Sequence, residues 1–260
     1  MANVISALGE QQVRWLPVAD TRGMQRIARE RILAAAAEAI LARGCFRIVL
    51  SGGSTPRRTF LSLRDSDTDW SRWQVFFGDE RCLSIDDPER NSRMARDAWL
   101  DHVAIPSECI HAIPAEFGAD AAARAYADVL RDVGDFDLVI LGLGEDGHTA
   151  SLFPDHDWGT APDAPDTLSV QDAPKPPAQR VTLSAARLAR ARAVLFLVEG
   201  ESKHAAIARW RAGENIPARA VRPATGIDVL VEAGLLAPIT NRAHVTQQPW
   251  TDRGDSDELG

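Results

Sequence analysis

Short apolar runs bounded by Gly, Pro, Asp or Ser recur along the chain. They predict strands at Cys45–Leu50, Trp73–Phe77, Phe136–Leu141, Arg180–Leu183, Ala193–Val198 and Ile227–Val231. Between them the apolar residues change to a helical period. Thr21 is placed to cap an Ala-, Ile- and Leu-rich run that ends at Arg43 before Gly44, and Asp120–Val133 is a second such run closed by Gly134. Further helices are expected at 57–65, 91–102, 185–191 and 201–211. This alternation predicts an α/β fold with a mostly parallel central sheet and helices on both faces. The stretch Asp155–Gln179, rich in Pro, Asp and Ala, is too long for a plain connector and reads as an excursion near a functional site or as a mobile loop. Past residue 243 periodicity stops, so a single domain over 1–243 and a disordered tail over 244–260 are expected.

Composition narrows the partners. With 260 residues, 45% hydrophobic and 25% charged, the chain has enough apolar length for one large core. A net charge of -8 argues against nucleic acid or an anionic membrane as partner, so the cations for any anionic ligand must be local. No run reaches the roughly 18 apolar residues of a membrane span, and no basic segment leads into an apolar one at the start, which points to a cytoplasmic protein. Cys45, Cys82 and Cys109 are odd in number and lack CxxC spacing, which suggests buried thiols rather than a disulfide framework or a zinc site.

Three loops carry chemistry, each just past a predicted strand, where open α/β sheets collect ligands. Ser51-Gly52-Gly53-Ser54-Thr55-Pro56 joins the first strand to a helix with Arg57 and Arg58 in its early turn. Paired glycines let backbone N–H groups approach an anion, the hydroxyls add donors, and Pro56 suits the first helical position. The loop lacks the GK[ST] ending of a nucleotide P-loop and the last glycine of GxSxG, so it fits a single phosphate and offers no serine nucleophile; a plain strand-to-helix turn is the alternative. Gly78-Asp79-Glu80-Arg81 follows WQVFF, where two carboxylates and a guanidinium fit either an anion site or a surface ion pair.

Gly142-Leu143-Gly144-Glu145-Asp146-Gly147-His148-Thr149 follows FDLVIL and matches GxGxxG. Pro154 cuts off the long helix a dinucleotide site needs, and no strand-end acid follows at the right distance. The informative feature is Asp146 two residues before His148 in a glycine turn, since an imidazole beside a carboxylate can take a proton from water and return it to a leaving oxygen. His156 with Asp155 and His148 lacks any familiar ligand spacing, so no metal and no other cofactor is expected. Lys203, opening the helix after Ala193–Val198, is either a solvated lysine or an ammonium beside the phosphate loop.

The segments LSGGSTPRRTF, FFGDERC with Asn91 after it, FDLVILGLGEDGHTASLFP, PPAQRVTL and VEGESKHAAI, in this order over about residues 20 to 235, resemble the 6-phosphogluconolactonase family. The resemblance implies a three-layer Rossmann-like fold shared with glucosamine-6-phosphate deaminases, and hydrolysis of 6-phospho-D-glucono-1,5-lactone to 6-phosphogluconate in the oxidative pentose phosphate pathway. It makes His148 the general base and Asp146 its orienting partner. Gly52, Gly53, Ser54 and Thr55 fall on the phosphate loop, with Arg81 and Lys203 as its cations. Asp79 matches the strand-end acid and Asn91 the family's asparagine, although Glu89-Arg90 stands before it where Asp-Ser is usual, and Glu232 replaces a common Asp. The partner implied is a small sugar-phosphate lactone, and the assembly a monomer or weak dimer. A deaminase-isomerase of the same fold carries HIAFNEP and DEY where this chain has HTASLFP and DERC; a non-catalytic sugar-phosphate sensor is the reading from another class.

Overall fold

The computed structural model describes residues 11–237; the expected tail over 244–260 lies outside them. In chain order the elements are β1 (Val13–Val18), α1 (Thr21–Arg43), β2 (Phe46–Leu50), α2 (Ser54–Leu61), β3 (Trp73–Phe77), β4 (Asp79–Arg81), α3 (Asn91–Ala98), β5 (Ile110–His111), α4 (Ala119–Leu130), β6 (Leu138–Leu141), β7 (Thr167–Val170), β8 (Arg180–Leu183), α5 (Ala185–Ala189), β9 (Val194–Val198), α6 (His204–Arg211), α7 (Pro217–Ala220) and β10 (Ile227–Glu232).

Seven strands form a parallel sheet in the order β1-β10-β9-β6-β2-β3-β5. Its inner strands are buried along nearly their whole length: Leu138–Leu141 and Val194–Val198 have no exposed member, as expected of strands covered on both faces. This is the three-layer Rossmann-like α/β arrangement. The chain runs outward from β2 to β3 and β5, then returns to β6 on the other side of β2. The carboxyl ends of β2 and β6 therefore flank the switch in strand order, where loops diverge and leave a crevice.

A second sheet of three antiparallel strands, β4-β8-β7, stands beside the first. Gly78 couples the two: its N–H donates to Leu50 O at 2.9 Å in the large sheet, and its carbonyl accepts from Leu183 N–H at 2.7 Å in the small one. The strand expected at Arg180–Leu183 thus exists, but in the antiparallel sheet. The Asp155–Gln179 excursion supplies β7, which packs on α4 and pairs with β8.

Other differences have local causes. Asp20, not Thr21, caps α1, its carboxylate accepting from Gly23 N–H at 2.7 Å. The third helix stops at Ala98 because Trp99 takes φ -153° to bury its ring beside Trp73, Trp70 and Phe60, and a 3-10 turn continues to His102. The strand expected from Phe136 begins at Leu138 because Asp137 is occupied, taking Arg43 at 2.7 Å and Arg47 N–H at 2.8 Å. The sequence reading missed β1 because Pro17 interrupts its apolar pattern; β1 is an edge strand, where proline is tolerated. Among the described residues no helix is long and apolar enough to cross a membrane.

Candidate active site

A cleft of about 270 Å³ opens at the carboxyl ends of β2, β6 and β9 and is walled by β4 and β8. It lies at the small end of ligand cavities, which start at roughly 300 Å³. All ten residues singled out from the sequence except Asp146 line it: Gly52, Gly53, Ser54, Thr55, Asp79, Arg81, Asn91, His148 and Lys203. Asp146 stands behind His148 and reaches the cleft through it.

The first wall is the loop after β2. Gly53 has φ +105°, a region that L side chains rarely adopt, and Gly52 is pressed so close to Asn91 that a Cβ would lie 1.9 Å from its Oδ1. This path starts α2 at Ser54, so Pro56 is its third residue rather than its first. The N–H groups of Ser54 and Thr55 have no acceptor among the described residues, and the buried Ser51 hydroxyl also has none. A helix start with spare donors is suited to an anion. Arg58 is not available to it, because its Nη2 is bonded to Glu199 Oε2 at 2.6 Å, tying α2 to the end of β9.

The second wall is β4, where alternation separates the charges. Glu80 points away from the cleft and is fully buried, accepting from the N–H groups of Asn91 at 2.7 Å and Ser92 at 2.8 Å. It caps α3 and faces the buried Arg90 at 3.4 Å. Asp79 and Arg81 face the cleft. Both Asp79 carboxylate oxygens are held, Oδ1 by Asn91 Nδ2 at 3.0 Å and Oδ2 by Ser151 Oγ at 2.6 Å. The Arg81 guanidinium reaches the Glu89 carbonyl and has no carboxylate within salt-bridge distance among the described residues.

The third wall is the turn after β6. Asp146 Oδ1 lies 2.5 Å from His148 Nδ1 and 3.1 Å from its backbone N. With Nδ1–H donating to the carboxylate, the lone pair of the imidazole is on Nε2. Burial lowers the His148 pKa below 6.5, and the Asp146 and Asp79 carboxylates only partly restore it. Burial opposes ionisation of Asp146, but the adjoining imidazole and the His148 amide outweigh it and keep the carboxyl below its ordinary value. The pair is therefore a neutral base beside an ionised acid near neutral pH. Gly144 leaves the space it occupies: a Cβ there would lie 2.0 Å from Nδ1 and 2.6 Å from Asp146 Oδ1. Phe153 packs on the ring at 4.9 Å between centroids.

Lys203 enters from a 3-10 turn after β9 and has no carboxylate within salt-bridge distance among the described residues. Nearby Glu145 is engaged by Lys175 at 2.5 Å. Among the described residues no three His, Cys, Asp or Glu side chains gather as a metal site would require. Three participants escaped the sequence reading. Ser151 is predictable only as a residue three beyond His148. Glu199 ends an apolar strand. Arg180 opens one, opposite Arg81.

Residues 19–230 match the family of glucosamine-6-phosphate isomerases and 6-phosphogluconolactonases. The chain belongs to this family. It is similar to a 6-phosphogluconolactonase of Synechocystis, 41% identical over 72% of this chain and 81% of the relative, and to that of Homo sapiens, 37% identical over 71% and 77%. The crystal structure of 6-phosphogluconolactonase from Thermotoga maritima superposes with a TM-score of 0.79 at 27% identity, covering 85% of this chain and all of that one. Within the family the chain is an enzyme of the 6-phosphogluconolactonase type.

Proposed function

We propose that this enzyme hydrolyses 6-phospho-D-glucono-1,5-lactone to 6-phosphogluconate, with His148 as general base and the loop Gly52–Thr55 holding the phosphate. The observation that carries this reading is that the imidazole and the glycine loop line one cleft of a sugar's dimensions. Gly52, Gly53, Ser54 and Thr55 supply backbone and hydroxyl donors, and Arg81 and Lys203 supply charge. Asn91 and Asp79, locked to each other, shape the side that the sugar lies against.

His148 Nε2 takes a proton from water as the water oxygen bonds to C1 and the carbonyl pair moves onto its oxygen. Asp146 keeps the imidazole in the required tautomer and stabilises the imidazolium. As the tetrahedral species collapses, the C1–O5 bond breaks and the proton passes from Nε2 to the departing ring oxygen. The resulting acid loses its remaining proton to solvent. No cofactor enters this scheme. Binding of the remote phosphate fixes C1 against the water, converting affinity into orientation. In this reading the enzyme works in the cytoplasm as a monomer or weak dimer.

The test is His148→Gln assayed with lactone generated in situ by a dehydrogenase. We expect kcat to fall by about 10²–10⁴-fold, the usual contribution of a positioned base. The Kd for 6-phosphogluconate should stay within about threefold of wild type, because the phosphate determinants are untouched. Parallel losses in kcat and affinity would remove the base assignment.

A further inference from the structure

Three arginines in the described chain have side chains almost fully buried: Arg90, Arg180 and Arg187. Arg90 faces Glu80 at 3.4 Å and Glu116 at 2.7 Å, and Arg187 faces Asp166 at 3.4 Å. Arg180 has no carboxylate within salt-bridge distance among the described residues. Its Nε donates to Pro177 O at 3.2 Å, and its Nη2 to Lys175 O at 3.0 Å and Pro176 O at 3.2 Å. These three carbonyls fix the plane of the guanidinium without neutralising it. No described residue accepts from Nη1.

The uncompensated charge sits on the cleft wall. In the antiparallel register Arg180 is directly opposite Arg81, and both line the cleft. Like charges facing each other across strands are destabilising, and a buried cation without a counter-charge costs more still. A fold that keeps both offsets the cost when an anion arrives. Arg180 stands on the catalytic side: its guanidinium lies 5.4 Å from the centre of the Phe153 ring, the ring that also packs on His148. The phosphate loop belongs to a different strand end, that of β2.

We infer that Arg180 is a second anion-binding group, which receives the C1 oxygen as it becomes negative in the tetrahedral species and holds the C1 carboxylate of the product. This rests on the lactonase reading and assigns the end of the ligand opposite its phosphate. Arg180 touches the reacting carbonyl's oxygen and transfers no proton. Burial of the guanidinium, which lowers its pKa, strengthens its field at that oxygen.

The experiment compares two ligands that share the 6-phosphate and the open polyol chain but differ at C1: 6-phosphogluconate and sorbitol 6-phosphate. In Arg180→Gln the Kd of 6-phosphogluconate should rise about tenfold or more, and that of sorbitol 6-phosphate should stay within about threefold of wild type. Lactone turnover should fall about 10²–10³-fold in kcat, the cost of losing one oxyanion donor. Arg180→Lys keeps the charge and loses the fork, so it gives the same selectivity with smaller losses and serves if the Gln variant does not fold. Equal loss of both ligands would place Arg180 at the phosphate and overturn the inference, as would unchanged binding of 6-phosphogluconate. Failure of the lactonase reading is read separately, as absence of lactone turnover by the wild-type enzyme.

Discussion

Gly144→Ala tests the His148–Asp146 pair without changing either member. The added Cβ would lie 2.0 Å from Nδ1, 2.2 Å from Cε1 and 2.6 Å from Asp146 Oδ1, against 3.4 Å for ordinary contact. The ring must therefore move by about 1.4 Å, the difference between 3.4 and 2.0. The backbone at 144 is not among the positive-φ glycines, so alanine meets no conformational penalty there. The groups that must yield are side-chain atoms of His148 and Asp146 rather than backbone. The damage should accordingly fall on geometry rather than on folding. A misplacement near 1 Å costs about 10²-fold in rate, equivalent to about 2.7 kcal/mol of barrier. In the coupled lactone assay kcat should fall at least about 100-fold with the melting transition close to wild type. Gly134→Ala, where a Cβ meets nothing within 4 Å, is the matched control. A folded Gly144→Ala enzyme with wild-type kcat would show that the close imidazole–carboxylate arrangement is not needed for catalysis.

Two further outcomes follow from burial. Because burial depresses the His148 pKa below 6.5, the base is unprotonated above that value; kcat/KM, which follows the free enzyme, should rise with pH to a plateau reached through an inflection below 6.5, and a pH–rate profile that places the inflection above it contradicts the assignment. Glu80→Ala removes the acceptor for the Asn91 and Ser92 amides and strips Arg90 of one of its two carboxylates. A loss of about 3–5 kcal/mol is expected, or a Tm lower by about 6–20 °C in calorimetry; an unchanged Tm would show that Glu116 alone compensates Arg90.

The parts of the site that could be read from sequence are those fixed by local chain geometry. Gly52 and Gly53 matter for the path of one turn, and Asp146 reaches His148 across two residues, so each is visible in a short window. The mostly parallel sheet was legible for the same reason, from the apolar runs of β2, β3, β6, β9 and β10. Arg180 was not, because its significance comes from register: only the pairing of β4 with β8 sets it opposite Arg81. Ser151 likewise acquires its role from Asp79, 72 residues earlier. The strands β4, β5 and β7 are two to four residues long and partly polar, too short for periodicity to register. Glu80 and Asp79 are adjacent and chemically alike, and only strand alternation assigns one to the helix cap and the other to the cleft.

Gly78 belongs to both sheets, and β4 starts at the next residue. The side chains of Asp79 and Arg81 are consequently anchored to two sheets at once rather than carried on an independent flap. Amide deuterium uptake over residues 77–81 should keep pace with whole-molecule opening, not with surface breathing. Such a gap between walls has a set width: a bulkier ring cannot be admitted by local yielding, and tolerance for other lactones must be gained at the rims instead.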